Sequence, residues 1–171
     1  MRMTPALPEY AAQLLVFELE NRAHFEQWIA SRGERFYHLH AVQESLEQAQ
    51  WQANAGHEYH FLVWLENDVI GRVTLRGVER DQYHKASLGY RFSSRHGGQG
   101  YASRAVADVT RQAFQELRLH RIEAVVIPDN LPSIGVMRKC GFTQYGHARS
   151  AVLRNGQWMD LLYFDKHAPA G

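Results

Sequence analysis

Residues 85–127, "KASLGYRFSSRHGGQGYASRAVADVTRQAFQELRLHRIEAVVI", constrain the fold more than any other part of the chain. They read as strand, glycine loop, helix, strand. "KASLGYRF" (85–92) is strand-like, and "RIEAVVI" (121–127) is β-branched and almost continuously apolar, as a buried strand requires. Between them Ala102, Ala105, Val106, Val109, Ala113 and Leu117 fall on one helical stripe. Arg104, Asp108, Arg111, Gln115 and Arg118 face away from it. A strand–helix–strand crossover calls for a locally parallel pair of strands.

The flanking sequence supplies the rest of a mixed α+β domain. Two helical patterns come first, from Glu9 to about Trp28 and from Val42 to Ala55, the second stopped by Gly56. "YHFLVWL" (59–65) and "VIGRVTL" (69–75) follow as strands around a short turn at Glu66, Asn67 and Asp68, which predicts a hairpin. After the crossover, "PDNLPSIGVMRKCGF" predicts a short helix with Asn130 as N-cap, Pro132 in the first turn and Gly141 as the stop. "HARSAVLRNGQWMDLLYF" closes the chain as two strands around Asn155-Gly156, a strong hairpin signal. A length of 171 residues without repeat or linker predicts a single domain over 1–171.

Gly97, Gly98 and Gly100 lie where the crossover leaves its first strand. A helix N-terminus carries amides without intrahelical partners and partial positive charge, and glycines let an anion approach the backbone closely. A plain connecting loop reads the same way. A P-loop is excluded, because the chain contains no Gly-Lys pair. A dinucleotide fingerprint fits poorly: Ser103 stands where a third glycine or alanine belongs, and three strand-like runs precede the loop. The formal net charge of +1 gives no bulk attraction to nucleic acid or membrane. No window approaches the ~18 apolar residues of a spanning helix, and the first residues make a poor signal peptide. One cysteine, Cys140, forms no internal disulfide, so a cytoplasmic setting is expected. It precedes Gly141-Phe142 at a helix end, where core packing is the expected role.

The segments "LGYRFSSRHGGQGYASRAV", "LRLHRIEAVVIPDNLPSIGVMRKCGF" and "NGQWMDLLYF" resemble the GNAT N-acetyltransferases, in particular the RimJ/RimL-like branch that acetylates ribosomal-protein N-termini. The resemblance runs from "LENRAHFEQW" (19–28) to "DLLYF" (160–164). It implies a GNAT fold: a mixed central β-sheet with splayed parallel strands, flanked by helices. It also implies acetyl-CoA as cosubstrate and no metal. The family loop, [Q/R]-x-x-G-x-[G/A], falls on Gly97, Gly98, Gln99, Gly100, Tyr101 and Ala102, with Gly97 where glutamine or arginine is usual. Pyrophosphate would lie on the amides of Gly98 to Ala102, and pantetheine beside the backbone of Phe92, Ser93 and Ser94. Asn130 and Ser133 match an N-x-x-S element beside the cofactor arm. The family's first strand would be shortened or missing here, since only "MRMTPALP" precedes the first helix.

An amine attacking a thioester must be neutral, the developing oxyanion needs a donor, and the leaving thiolate benefits from a proton. The resemblance places the oxyanion donor near Phe92. The resemblance implies a tyrosine acid seven residues after the asparagine, where Met137 stands and cannot donate; Ser133, which resembles the serine of the ribosomal-protein branch, is the catalytic candidate that the resemblance implies. Its alternative is a purely local bond in the first helical turn. The expected carboxylate position holds Val152, so Glu79, His84, Asp160 or water remain as bases. His38, His40, His57 and His60 lack partners at ligand spacing and are expected on the surface. Three functions stay open. The first is acetylation of a protein or peptide N-terminal α-amine; the second is acetylation of a small amine such as an amino acid, polyamine or antibiotic. The third is CoA binding without turnover. A monomer or homodimer is expected, with neither nucleic acid nor membrane as partner.

Overall fold

The computed structural model describes residues 1–170. Among them run β1 (Arg2–Pro5), α1 (Ala11–Glu26), α2 (Leu39–Asn54), β2 (Tyr59–Leu65), β3 (Asp68–Glu79) and β4 (Lys85–Phe92). α3 (Tyr101–Gln115), β5 (Arg121–Val126), α4 (Leu131–Lys139), β6 (Thr143–Arg154) and β7 (Gln157–His167) complete the order. The strands form one seven-stranded sheet in the order β1-β2-β3-β4-β5-β7-β6. Every neighbouring pair is antiparallel except β4–β5, the parallel pair that the crossover demands.

Local chemistry sets the boundaries. The first strand is present but short: its four residues pair with Phe61–Trp64 of β2. The β2–β3 turn is tight, because Leu65 pairs with Asp68 and Glu66 takes a left-handed φ of 54°. Asn155 and Gly156 both have positive φ, at 49° and 77°, as a two-residue hairpin turn requires. Asn130 caps α4, its Oδ1 accepting the Ser133 amide at 3.2 Å. Several boundaries differ from the sequence expectation, with α2 starting at Leu39 and β3 running on to Glu79. α3 ends at Gln115, so Leu117 packs from the following turn instead of extending the helical stripe. β6 begins at Thr143, and a bulge between Ala148 and Val152 offsets it from β7.

The two faces of the sheet carry separate cores. Alternation sends Phe61, Val63, Val73 and Leu75 towards α3 and α4, and Leu62 and Trp64 towards α1 and α2. Met137 is fully buried in the first core, as is Cys140 nearly so, its Sγ donating to the Ser103 carbonyl at 3.2 Å. Burial raises the Cys140 thiol pKa, which suits packing and not nucleophilic chemistry.

His60 lies inside, contrary to the surface placement expected of the four histidines. Its Nδ1 sits 3.0 Å from Arg72 Nη2, and Arg72 can only donate. His60 therefore accepts there and presents Nε2–H to Glu58 Oε2 at 2.9 Å. Burial first, and the Arg72 charge second, push its pKa down to about 4. A depressed histidine gives stability that is present above the unfolded value and lost as pH falls towards the folded one. Thermal melts of the parent should drop between about pH 6.5 and 4, and His60→Gln should flatten that limb. Met137→Ala should cost about 2–5 kcal/mol in urea unfolding, the range for emptying a buried methionine site.

Candidate active site

β4 and β5 pair at only three positions, Lys85↔Arg121, Ala86↔Ile122 and Ser87↔Glu123. Beyond Ser87 the strands part. A cavity of about 1050 Å³ fills the opening, with Leu88–Phe92 on one side and Ala124–Ile127 on the other. The Ser93 amide donates to the Ile70 carbonyl of β3 at 2.8 Å. Backbone amides alternate along a strand, so that of Phe92 faces the opposite edge, into the opening. The Ser94 amide is held by Asn21 Oδ1 at 3.1 Å, so neither serine has a free N–H.

The glycine loop borders this opening. Gly98 and Gly100 have φ of 73° and 81°, in the left-handed region where a side chain is strained. Gly97 has φ of −62°, open to any residue. The first helical bond of α3 is Arg104 N–H to the Gly100 carbonyl. The amides of Gly98 to Ala102 have no partner among the described residues. Gln99 is exposed, and only its backbone belongs to this cradle. Lys139, at the end of α4, also lines the cavity, and its Nζ lies 3.9 Å from where a Cβ on Gly100 would stand. Five free amides, a helix N-terminus and an ammonium can together hold a diphosphate. Lys139 was invisible in the sequence because only the return of α4 brings it to the loop.

Ser133 stands across the opening from β4. Its Oγ lies 2.6 Å from the Tyr90 hydroxyl, which also reaches the Ser133 carbonyl at 3.3 Å. Burial raises the Tyr90 phenol to about 12, so it stays protonated at any working pH. Tyr90 escaped the sequence reading, although it belongs to the "GY" pair at 89–90. The base candidates fare differently. Asp160 fixes the β6 bulge, accepting the Ser150 amide at 2.9 Å and meeting His147 Nε2 at 2.7 Å. Glu79 pairs with Lys85, and the His84 carbonyl accepts the Arg121 amide at 3.2 Å. None of the three lines the cavity, whereas His24 and His96 do.

The family described as an acetyltransferase (GNAT) domain matches residues 2–143. The chain belongs to this family, and it is an acyltransferase acting on nitrogen. It is 38% identical over 152 residues to the probable N-acetyltransferase YjcK of Bacillus subtilis, spanning 88% of this chain and 84% of that one. Ribosomal-protein-S5-alanine acetyltransferase from Vibrio fischeri superposes with a TM-score of 0.93 at 27% identity, over 96% of this chain and 91% of that one. Mycobacterium smegmatis RimJ, solved with CoA-disulfide, gives 0.90 at 27% identity over 97% and 81%.

A carboxylate at position 100 would meet the cradle directly. Gly100→Asp is expected to weaken CoA binding at least tenfold by calorimetry. Lys139→Ala should weaken it about fivefold, as loss of one partly screened charge, about 1 kcal/mol, implies. Parent-like affinity in both variants would place the phosphates elsewhere.

Proposed function

We propose that this protein transfers an acetyl group from acetyl-CoA to an α-amine at a protein or peptide N-terminus. One observation carries the reading: the opening between β4 and β5 joins a free-amide cradle at one face of the sheet to an open wall at the other. Pyrophosphate lies on the amides of Gly98 to Ala102, beside Lys139. Pantetheine runs along the unpaired edge of β4 as far as Phe92 and past Asn130, its amides facing strand backbone that lacks a partner strand; the expected pairing at Ser93 and Ser94 falls away, because their backbone groups are already bonded. The overall similarity to an S5-alanine acetyltransferase favours a protein N-terminus as acceptor.

The neutral amine nitrogen attacks the thioester carbonyl carbon. The Phe92 amide stabilises the oxyanion. As the tetrahedral intermediate collapses, the C–S bond breaks, the C–N bond remains, and the nitrogen sheds a proton while the thiolate gains one. The 2.6 Å contact between the Tyr90 and Ser133 hydroxyls allows either to donate; when Tyr90 donates, the Ser133 hydroxyl proton is free to meet the departing sulfur. A serine is a weak acid and a CoA thiolate a fair leaving group, so the contribution falls at the low end of general acid catalysis.

Ser133→Ala should lower kcat on the order of 10–100-fold, ~1.4–2.7 kcal/mol of barrier, with little change in CoA affinity. Tyr90→Phe should lower it less, because the serine hydroxyl survives. Thermal melts must accompany the kinetics, since Ser133 also lies in the first turn of α4. An unchanged kcat in folded Ser133→Ala would leave protonation of the thiolate to solvent. Thiol release from acetyl-CoA should be faster with a peptide bearing a free N-terminal alanine than with free polyamines or antibiotics. The opposite preference would make this a small-amine enzyme.

A further inference from the structure

The cavity has two chemically different ends. Towards α3 and α4 lie the glycine loop, Lys139, Ser133 and Tyr90. Towards α1 lie Arg32, Arg72, Arg76 and Arg91. Strand alternation separates the two ends: Arg91 points away from its neighbours Tyr90 and Phe92, and β3 places Arg72 directly opposite it. Among the described residues that line this cavity there is no aspartate or glutamate.

Such a wall is not what folding alone selects. Like charges directly opposite on neighbouring strands are destabilising. Burial, then the charge of Arg91, pushes the Arg72 pKa down to about 9; burial pushes Arg91 down to about 10. Both stay charged near neutrality. A single carboxylate serves the group from beneath: buried Glu18 meets Arg32 at 3.2 Å and Arg91 at 3.0 Å. Arg72 donates to neutral His60. Its Nε is buried without a hydrogen-bond partner, although Arg72 is 5% exposed and borders the cavity. Arg76 is exposed and has no carboxylate partner among the described residues. The wall therefore holds more positive charge and more donors than the protein itself satisfies.

We propose that this arginine wall is an anion subsite that holds a carboxylate carried by the acceptor, close to the amine that becomes acetylated. The inference rests on the acetyl-transfer reading of the same cavity and names the acceptor's chemistry. A guanidinium fork suits a planar carboxylate. The wall lies on the face opposite the diphosphate cradle, so the anion it takes is not one of the cofactor's phosphates. The carboxylate has two sources: an acidic side chain within the first residues of a peptide, or the α-carboxylate of a free amino acid.

Four acceptors distinguish these: a peptide amide beginning Ala-Glu-Asp, its counterpart beginning Ala-Gln-Asn, free alanine, and alaninamide. Each is assayed by thiol release in the parent and in the Arg76→Gln and Arg72→Gln variants. The readout is the ratio of kcat/KM for acidic over neutral acceptors within each variant, which cancels any general loss of folded enzyme. The parent should favour the acidic peptide about tenfold or more, as a hydrogen bond to a charged group implies. That ratio should fall towards one in both variants and shrink with salt. A ratio near one in the parent, or one unchanged by either substitution, overturns the subsite. If both peptides react equally, the N-terminal reading stands and the subsite falls. If the ratio appears only between alanine and alaninamide, the subsite stands and the protein N-terminal reading falls.

Discussion

The site depends on three backbone pairs. β4 and β5 bond at Lys85–Ser87 and then separate, although the crossover keeps them adjacent in the sheet. Unpaired strand edges inside a protein need partners, since buried amides and carbonyls without them are costly. Elsewhere neighbouring strands meet that need. Here the opening leaves it to an extended ligand with amides of its own. The flanking pairs hold the gap open: β3 anchors β4 as far as Phe92, and β7 anchors β5 as far as Val126. Gly71 contributes to this anchoring, for a Cβ there would fall 2.4 Å from the Phe92 ring.

Much of the fold was legible because it is written in local chemistry. The strands at 59–65 and 85–92 and the cap at Asn130 come from alternation, turn residues and a single side-chain oxygen. The glycine cradle was legible for the same reason, since the φ values of Gly98 and Gly100 are demands on individual residues. The other half of the site carries no such signature. Tyr90 and Ser133 are 43 positions apart and meet only because α4 returns over β4. Arg32, Arg72, Arg76 and Arg91 share no spacing, and each alone reads as a surface arginine. The register of β3 against β4 and the turn after α1 assemble them.

The residues at family-typical positions divide by burial. Met137 stands where the resemblance implies a tyrosine, and it is sealed in the core between sheet and α4. A different tyrosine lies beside Ser133: Tyr90 approaches its hydroxyl from the strand side at 2.6 Å. The phenol thus reaches the site from β4 instead of α4. Because burial raises its pKa, it stays a neutral phenol and not an anion.

A missing carboxylate base and a cationic wall are physically compatible. A positive field disfavours any added positive charge, so an amine entering beside Arg72 and Arg91 is biased towards its neutral, nucleophilic form. The same field would stabilise a carboxylate, yet none lines the cavity among the described residues. An acceptor that brings its own carboxylate resolves the conflict. It supplies the anion that the wall lacks, and it does so on the acceptor side, away from the thioester. Glu18 shows how strongly the wall takes such a group: it is held almost wholly out of water by two of the four arginines. The wall's remaining charge, with exposed Arg76 outside that pairing, is what an incoming carboxylate has to match.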